Sequence, residues 1–255
     1  MPIQYLRSLT HHERDDRSNR RLGMILAFVA GAANAGGFLA VGQYTSHMSG
    51  IVSAMADTLA LGQTFLFVAG LLSLLAFMAG SATSAILINW GRRSRLNSVY
   101  ATPLLLEAAL LLVFGLMGAK LEQHHLLVVP ATVGLLCYVM GLQNAMITKV
   151  SRSEIRTTHV TGLVTDIGIE LGKLFYWNVS TDAPGDPVYA SRPKLRLLSA
   201  LLSMFFVGGV IGALGFKHIG FISTVPLAAI LAILALVPFL DDLKSGIWRR
   251  RQPRA

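Results

Sequence analysis

The chain has 255 residues, of which 53% are hydrophobic and 14% charged, against about 25% charged in soluble domains, so a soluble fold is disfavoured. A net charge of +9 could mark a nucleic-acid binder. The basic residues, however, gather in the tails and beside apolar segments rather than on one amphipathic face; they read as topology signals, and no nucleic-acid partner is expected.

Residues 1–21 mix Arg7, Arg14, Arg17, Arg20 and Arg21 with acids. They are too polar and too long for the start of a cleaved secretory signal and predict a retained cytoplasmic tail. A first membrane span is predicted over about 22–42, and it carries Asn34 among small residues, placed to bond a neighbouring helix or a substrate. The following element, Thr45 to Gly62, is long enough for a helix but has no place of its own in the span count. It opens with Thr45-Ser46-His47-Met48-Ser49-Gly50, rich in helix-starting residues, which would leave free backbone N–H groups and a positive dipole end beside His47. In lipid those donors need partners from protein, water or a ligand, so a re-entrant or interfacial helix is expected. Ser53 and Asp57 follow on it.

A second span over 64–90 displays Ala76, Gly80 and Ser84 at four-residue spacing and ends in the turn Gly91-Arg92-Arg93-Ser94-Arg95. The third, 99–119, holds one carboxylate, Glu107, which either reaches headgroups or, if buried, joins a proton or ion relay. The fourth, 126–148, contains Asn144 and the lone Cys137, so no disulfide can form within the chain. A second extra element, Thr157 to Trp177, opens with Thr157-Thr158-His159-Val160-Thr161-Gly162. Asp166, Glu170 and Lys173 share one of its faces, opposite Val164, Ile167, Leu171 and Leu174. That stripe is a relay or, more simply, the charged face of an interfacial helix. A 17-residue insertion, Asn178 to Lys194, reads as a surface loop. Spans five and six, over 196–216 and 219–240, follow, the fifth bearing Gly208 and Gly212, and the chain ends in a basic tail with Arg249, Arg250 and Arg251.

Three motifs recur in order: Gly31-x-x-Asn34-Ala35 as Gly141-x-x-Asn144-Ala145, the Thr45 to Gly50 segment as Thr157 to Gly162, and Phe77 to Gly80 as Phe206 to Gly209. The offsets are 110, 112 and 129 residues, and the last jump coincides with the insertion. The predicted fold is therefore an all-α integral membrane protein with about six transmembrane helices in a 3+3 inverted-topology repeat. Its parts are a tail (1–21), a first repeat (22–119), a second repeat (120–240, with the insertion at 178–194) and a tail (241–255). With both termini inside, nearly all Lys and Arg lie in cytoplasmic segments and little beyond Lys120 and Lys217 lies outside, as the positive-inside rule requires.

At the two His-x-[Ser/Thr]-Gly elements, with the preceding Gly-x-x-Asn-Ala and Gly36-Gly37-Phe38-Leu39, the chain resembles the YoaK family of bacterial inner-membrane proteins over about residues 22–240. The segment from Thr157 through Asp166, Gly168 and Glu170 to Gly172 is especially similar. The resemblance implies a six-span inner-membrane protein and brings no established activity. Family members often have Asn where this chain has Ile51, and an acid where it has Asn34.

Inverted repeats with paired broken elements generate a central site reachable from both sides, which predicts transport or permeation of a small polar or anionic solute. The expected binding residues are Asn34, Thr45, Ser46, His47, Ser49, Gly50, Asn144, Thr157, Thr158, His159, Thr161 and Gly162, with Asp57, Glu107, Asp166 and Glu170 as a proton or ion relay. Both His could instead cap helices. Two His without a third ligand do not predict a metal, and no cofactor is expected. A membrane enzyme pairing His with a carboxylate is an alternative, although zinc-protease, Gly-x-Ser-x-Gly and phosphate-loop motifs are missing from the sequence. A non-catalytic scaffold or sensor is another. The expected partners are the bilayer, the solute and, through the small-residue faces, either a second copy in a homodimer or the other half of the same chain.

Overall fold

A bilayer leaves the backbone no solvent to bond, so apolar segments crossing it must satisfy their own N–H and C=O groups as helices. The computed structural model describes residues 16–96, 98–118, 125–151, 157–176 and 188–251, and every regular element in them is helical. The elements are α1 (Asp16–Val41), α2 (Met48–Ala60), α3 (Thr64–Arg93), α4 (Ala101–Gly118), α5 (His125–Val150), α6 (Val160–Phe175), α7 (Arg192–Ile219), a 3-10 turn (Gly220–Ser223) and α8 (Thr224–Arg251). Among the described residues, five stretches are long and apolar enough to cross a membrane: Arg17–Val41, Thr64–Arg93, Ala101–Gly118, Val129–Val150 and Arg192–Lys244. The last, of 53 residues, contains α7 and α8 as far as Lys244. Helices α2 and α6, of 13 and 16 residues, are the two extra elements.

Helix α1 starts before Leu22 and α8 runs past Leu240, so apolar content marks the middle of each helix and not its ends. Residues 119–124, with Lys120 and Gln123, and residues 177–187 of the insertion lie outside the described residues. Helix α1 stops where Gly42 turns to φ 71°, a left-handed conformation that costs a residue with a Cβ about 1–2 kcal/mol.

Two close seams organise the bundle. Along α1 and α7, Gly31 lies against the Phe205 carbonyl, Gly208 against the Phe28 carbonyl and Gly212 against Ala32. Along α3 and α5, Gly141 lies against the Phe77 carbonyl and Gly80 against the Tyr138 carbonyl. A Cβ at any of these glycines would meet backbone, so their absence lets the helices touch. Ser81 Oγ donates to the Gly141 carbonyl at 3.0 Å, the Tyr138 hydroxyl to Thr83 Oγ1 at 2.8 Å, and Lys149 Nζ to Asn89 Oδ1 at 3.1 Å. Contacts advance in the same direction along both chains in each seam, so α1 runs parallel to α7 and α3 parallel to α5. The small-residue faces thus join elements within one chain.

These contacts also shift the repeat by one residue. Gly31 and Gly141 meet Phe205 and Phe77 in the same way, so Phe77 to Gly80 matches Phe205 to Gly208, and not Phe206 to Gly209. The sequence match was drawn to the second glycine of Gly208-Gly209, whereas Gly208 is the one pressed against α1.

Helices α4 and α8 pack antiparallel: the Ser98 N–H donates to Asp242 Oδ2 at 2.8 Å at one end, and Gly118 meets Phe221 at the other. Leu22, Leu26, Val29, Leu104, Met140 and Ile147 are buried in the core that α1, α4 and α5 share. The apolar windows of α1 and α5 are 56% and 61% buried, that of α3 only 11%, so α1 and α5 are central and α3 turns its apolar side outward.

Candidate functional site

The two His elements form matching backbone junctions. His47 has φ −92°, ψ 68° and His159 has φ −85°, ψ 63°, and each residue immediately precedes its short helix. The Ile51 and Leu163 N–H groups donate to the His47 and His159 carbonyls, both at 3.1 Å, while Met48 and Val160 donate to Ser46 and Thr158 at 3.2 and 3.0 Å. Neither imidazole caps its helix by a side-chain hydrogen bond. Each ring instead folds over the glycine three residues on, so that a Cβ at Gly50 would collide with the His47 ring and one at Gly162 with the His159 ring. The reading of each imidazole as a side-chain helix cap is therefore corrected: the carbonyl starts the helix, and each exposed ring lies over the glycine three residues on.

The junctions are tied down differently. Asn34 Oδ1 accepts from the Ser46 N–H at 3.2 Å and from Ser46 Oγ at 3.0 Å, so α1 anchors the chain just before His47. Thr45, Thr157 and Thr158 are buried, and their hydroxyl oxygens have no hydrogen-bond partner. Ser49 and Thr161 are exposed on the first turns of α2 and α6.

His47 and His159 open into different cavities. A cavity of about 400 Å³ is lined by Ser81, Asn144, Ala145, Thr148, Lys149 and His159. Its polar set combines a cation, an imidazole, an amide and two hydroxyls beside the N-terminus of α6, a set suited to a small anion. A second cavity, of about 820 Å³, contains His47, Gly50 and Thr58 within a mainly apolar wall that includes Phe65, Ile51 and Met55. Phe38 and Tyr44 stack beside it, centroids 4.4 Å apart. Among the described residues none lines both of these cavities; α2 packs on α3 and α6 on α7. Neither lining includes a carboxylate.

The four acids expected to form a relay do not all gather: Asp166 and Glu170 share Lys194 on α6 and α7, while Asp57 lies on α2 and Glu107 on α4. Asp57 is exposed on α2. Asp166 faces Lys194 at 3.7 Å. Glu170 accepts from the Ser191 N–H at 2.7 Å and from Lys173 Nζ at 3.1 Å, with Lys194 Nζ at 3.8 Å. The Ser191 amide, then the Lys173 ammonium, hold the Glu170 carboxyl below the usual carboxylate range, and the group clamps the start of α7 onto α6. Glu107 is fully buried and accepts from Gln143 Nε2 at 2.7 Å, which excludes the reading that it reaches headgroups. Among the described residues no group of three His, Cys, Asp or Glu is placed to hold a metal.

Sequence reasoning passed over Lys149, Thr148, Ser81 and Gln143. Lys149 counted only as a topology charge, although it stands five residues after Asn144, more than one helical turn along the same helix. Gln143, a polar residue inside an apolar run, was a usable signal, but its repeat position in the first half is Ala33, and attention to matched pairs hides an unmatched one.

The family described as a protein of unknown function, DUF1275, matches residues 22–237. The chain belongs to the DUF1275 family. This agrees with the YoaK resemblance, since YoaK-like membrane proteins carry that same region. Comparison with curated proteins and with solved structures returns no match.

Proposed function

We propose that this DUF1275 protein is a multi-pass permeation protein of a bacterial inner membrane, with both termini cytoplasmic, that carries a small anion through the cavity at His159. The observation that carries the reading is the convergence of Lys149, His159, Asn144, Thr148 and Ser81 on one cavity at a helix N-terminus. Asn89 accepts one Lys149 N–H at 3.1 Å, which leaves two ammonium donors for a ligand.

Helix directions support the proposed 3+3 inverted repeat. If α1 leaves the cytoplasm, its parallel neighbour α7 does too, α3 and α5 return together, and the antiparallel α4 and α8 complete six alternating crossings. The His47 cavity is lined by Gln43, Tyr44, Thr58 and Ser73 beside apolar residues and, among the described residues, by no Lys or Arg. With no carboxylate in either lining, a His–carboxylate enzyme lacks support.

Calorimetric titration of the purified protein with inorganic phosphate, chloride and acetate tests the site. At least one anion should bind, and Lys149→Gln should weaken it about tenfold or more, the effect of losing a charged hydrogen bond of about 1.5–3 kcal/mol. Equal affinity in the variant would remove the site.

A further inference from the structure

The Glu107–Gln143 contact joins α4 to α5 inside the bundle, and both side chains are fully buried. Gln143 Nε2 donates to Glu107 Oε1 at 2.7 Å. The other oxygen of each group, Glu107 Oε2 and Gln143 Oε1, is buried with no hydrogen-bond partner. An ionised carboxylate would place a charge in an apolar core with a single donor and leave the amide oxygen orphaned as well, two faults that each cost free energy. One proton cures both. On Oε2 it makes that atom a donor, and Gln143 Oε1 is an unused acceptor on the same partner.

The neighbouring elements offer no competing partner among the described side chains. Arg92 on α3 donates to the Tyr100 hydroxyl, Tyr138 on α5 to Thr83, and Lys149 on α5 to Asn89, while Asp242 on α8 accepts from Ser98. Arg93 and Lys244 are exposed at the ends of α3 and α8, Asp241 lies beside Asp242, and Cys137 is packed with Ile51 and Val133 in another cluster. Among the described residues no cation is bonded to Glu107.

We propose that the Glu107–Gln143 pair is a proton-binding site, with the proton on Glu107 Oε2 directed at Gln143 Oε1, and that this proton is the coupling ion of the anion pathway. The coupling rests on the permeation reading, and its structural basis is that Gln143 is followed directly on α5 by Asn144, which lines the anion cavity. The proton site itself does not depend on that reading.

Infrared spectroscopy of the full-length protein in liposomes, with carbon-13 glutamate labelling, reads the site directly. At neutral pH the wild type should show a carboxylic-acid carbonyl band that shifts in deuterium oxide and on labelling. The band should vanish in Glu107→Gln, whose amide preserves the pairing, persist in Asp242→Asn, and move to higher frequency in Gln143→Leu. Absence of the labelled band in wild type, its replacement by a carboxylate band in sodium buffer, or its survival in Glu107→Gln would overturn the proposal; the wild-type result stands even if a variant fails to fold. In the same liposomes an anion gradient should drive proton movement that Glu107→Gln abolishes. A band without anion flux keeps the proton site and rejects the permeation reading, whereas anion flux without proton movement rejects the coupling alone.

Discussion

Asn34 does its work through one atom. Both bonds to Ser46 end on Oδ1, so the contact uses the side chain as an acceptor. Asn34→Ala should lower stability by about 1–3 kcal/mol, and Asn34→Asp should retain it, as measured by denaturant titration in detergent; equal losses would show that the amide nitrogen matters. The His rings make a second residue-scale prediction. A methyl at Gly50 or Gly162 meets the ring three residues earlier, and because each ring is exposed and can turn aside, Gly162→Ala should cost less than about 1 kcal/mol, a cost that His159→Ala should remove in the double variant. Additive losses would mean that ring and glycine are independent. Ile51 is buried with Val133 and Cys137, which explains how this chain does without the Asn common at that position: an apolar side chain there packs.

At the scale of elements, the Glu170 clamp links α6 to the start of α7, and its acid dependence has a definite sign. A carboxyl whose folded pKa is depressed contributes stability that is complete above its unfolded pKa and is lost as pH falls through the lower, folded value. The protection factor of the Ser191 amide in hydrogen exchange should therefore hold at neutral pH and collapse on acidification below the usual carboxylate range. In Glu170→Gln it should be low at every pH; a pH-independent protection factor in the wild type would contradict the clamp. The seams are a different kind of contact, made where Gly31, Gly80, Gly141 and Gly208 leave no Cβ between backbones. Gly80 and Gly208 were legible in small-residue faces and Gly31 and Gly141 as repeat positions, yet spacing alone could not say whether the faces joined two halves or two subunits. That needed the register of α1 on α7 and of α3 on α5.

Across the whole molecule, the helices could be read from sequence because a bilayer admits few alternatives to them, and the two short elements stood out because they exceeded the span count. The His junctions were legible as backbone signals, which is what they are. The chemistry was less so: Ser81 on α3 and Lys149 on α5 line one cavity, and Gln143 on α5 meets Glu107 on α4, only once the helices pack, and the two His elements line different cavities. Reporter fusions test the proposed topology: those at Arg93, Asp182 and Arg250 should report cytoplasm and one at Gln123 the outside, and an external Asp182 would end the inverted-repeat proposal. The central claim is tested most directly by flux of inorganic phosphate, chloride and acetate into liposomes holding the purified protein, beside protein-free liposomes and the variants Lys149→Gln and Asn34→Asp. The account predicts uptake of at least one anion well above the protein-free rate, reduced about tenfold or more by Lys149→Gln and unchanged by Asn34→Asp. No uptake above the protein-free rate, or equal uptake with and without the Lys149 charge, would contradict it.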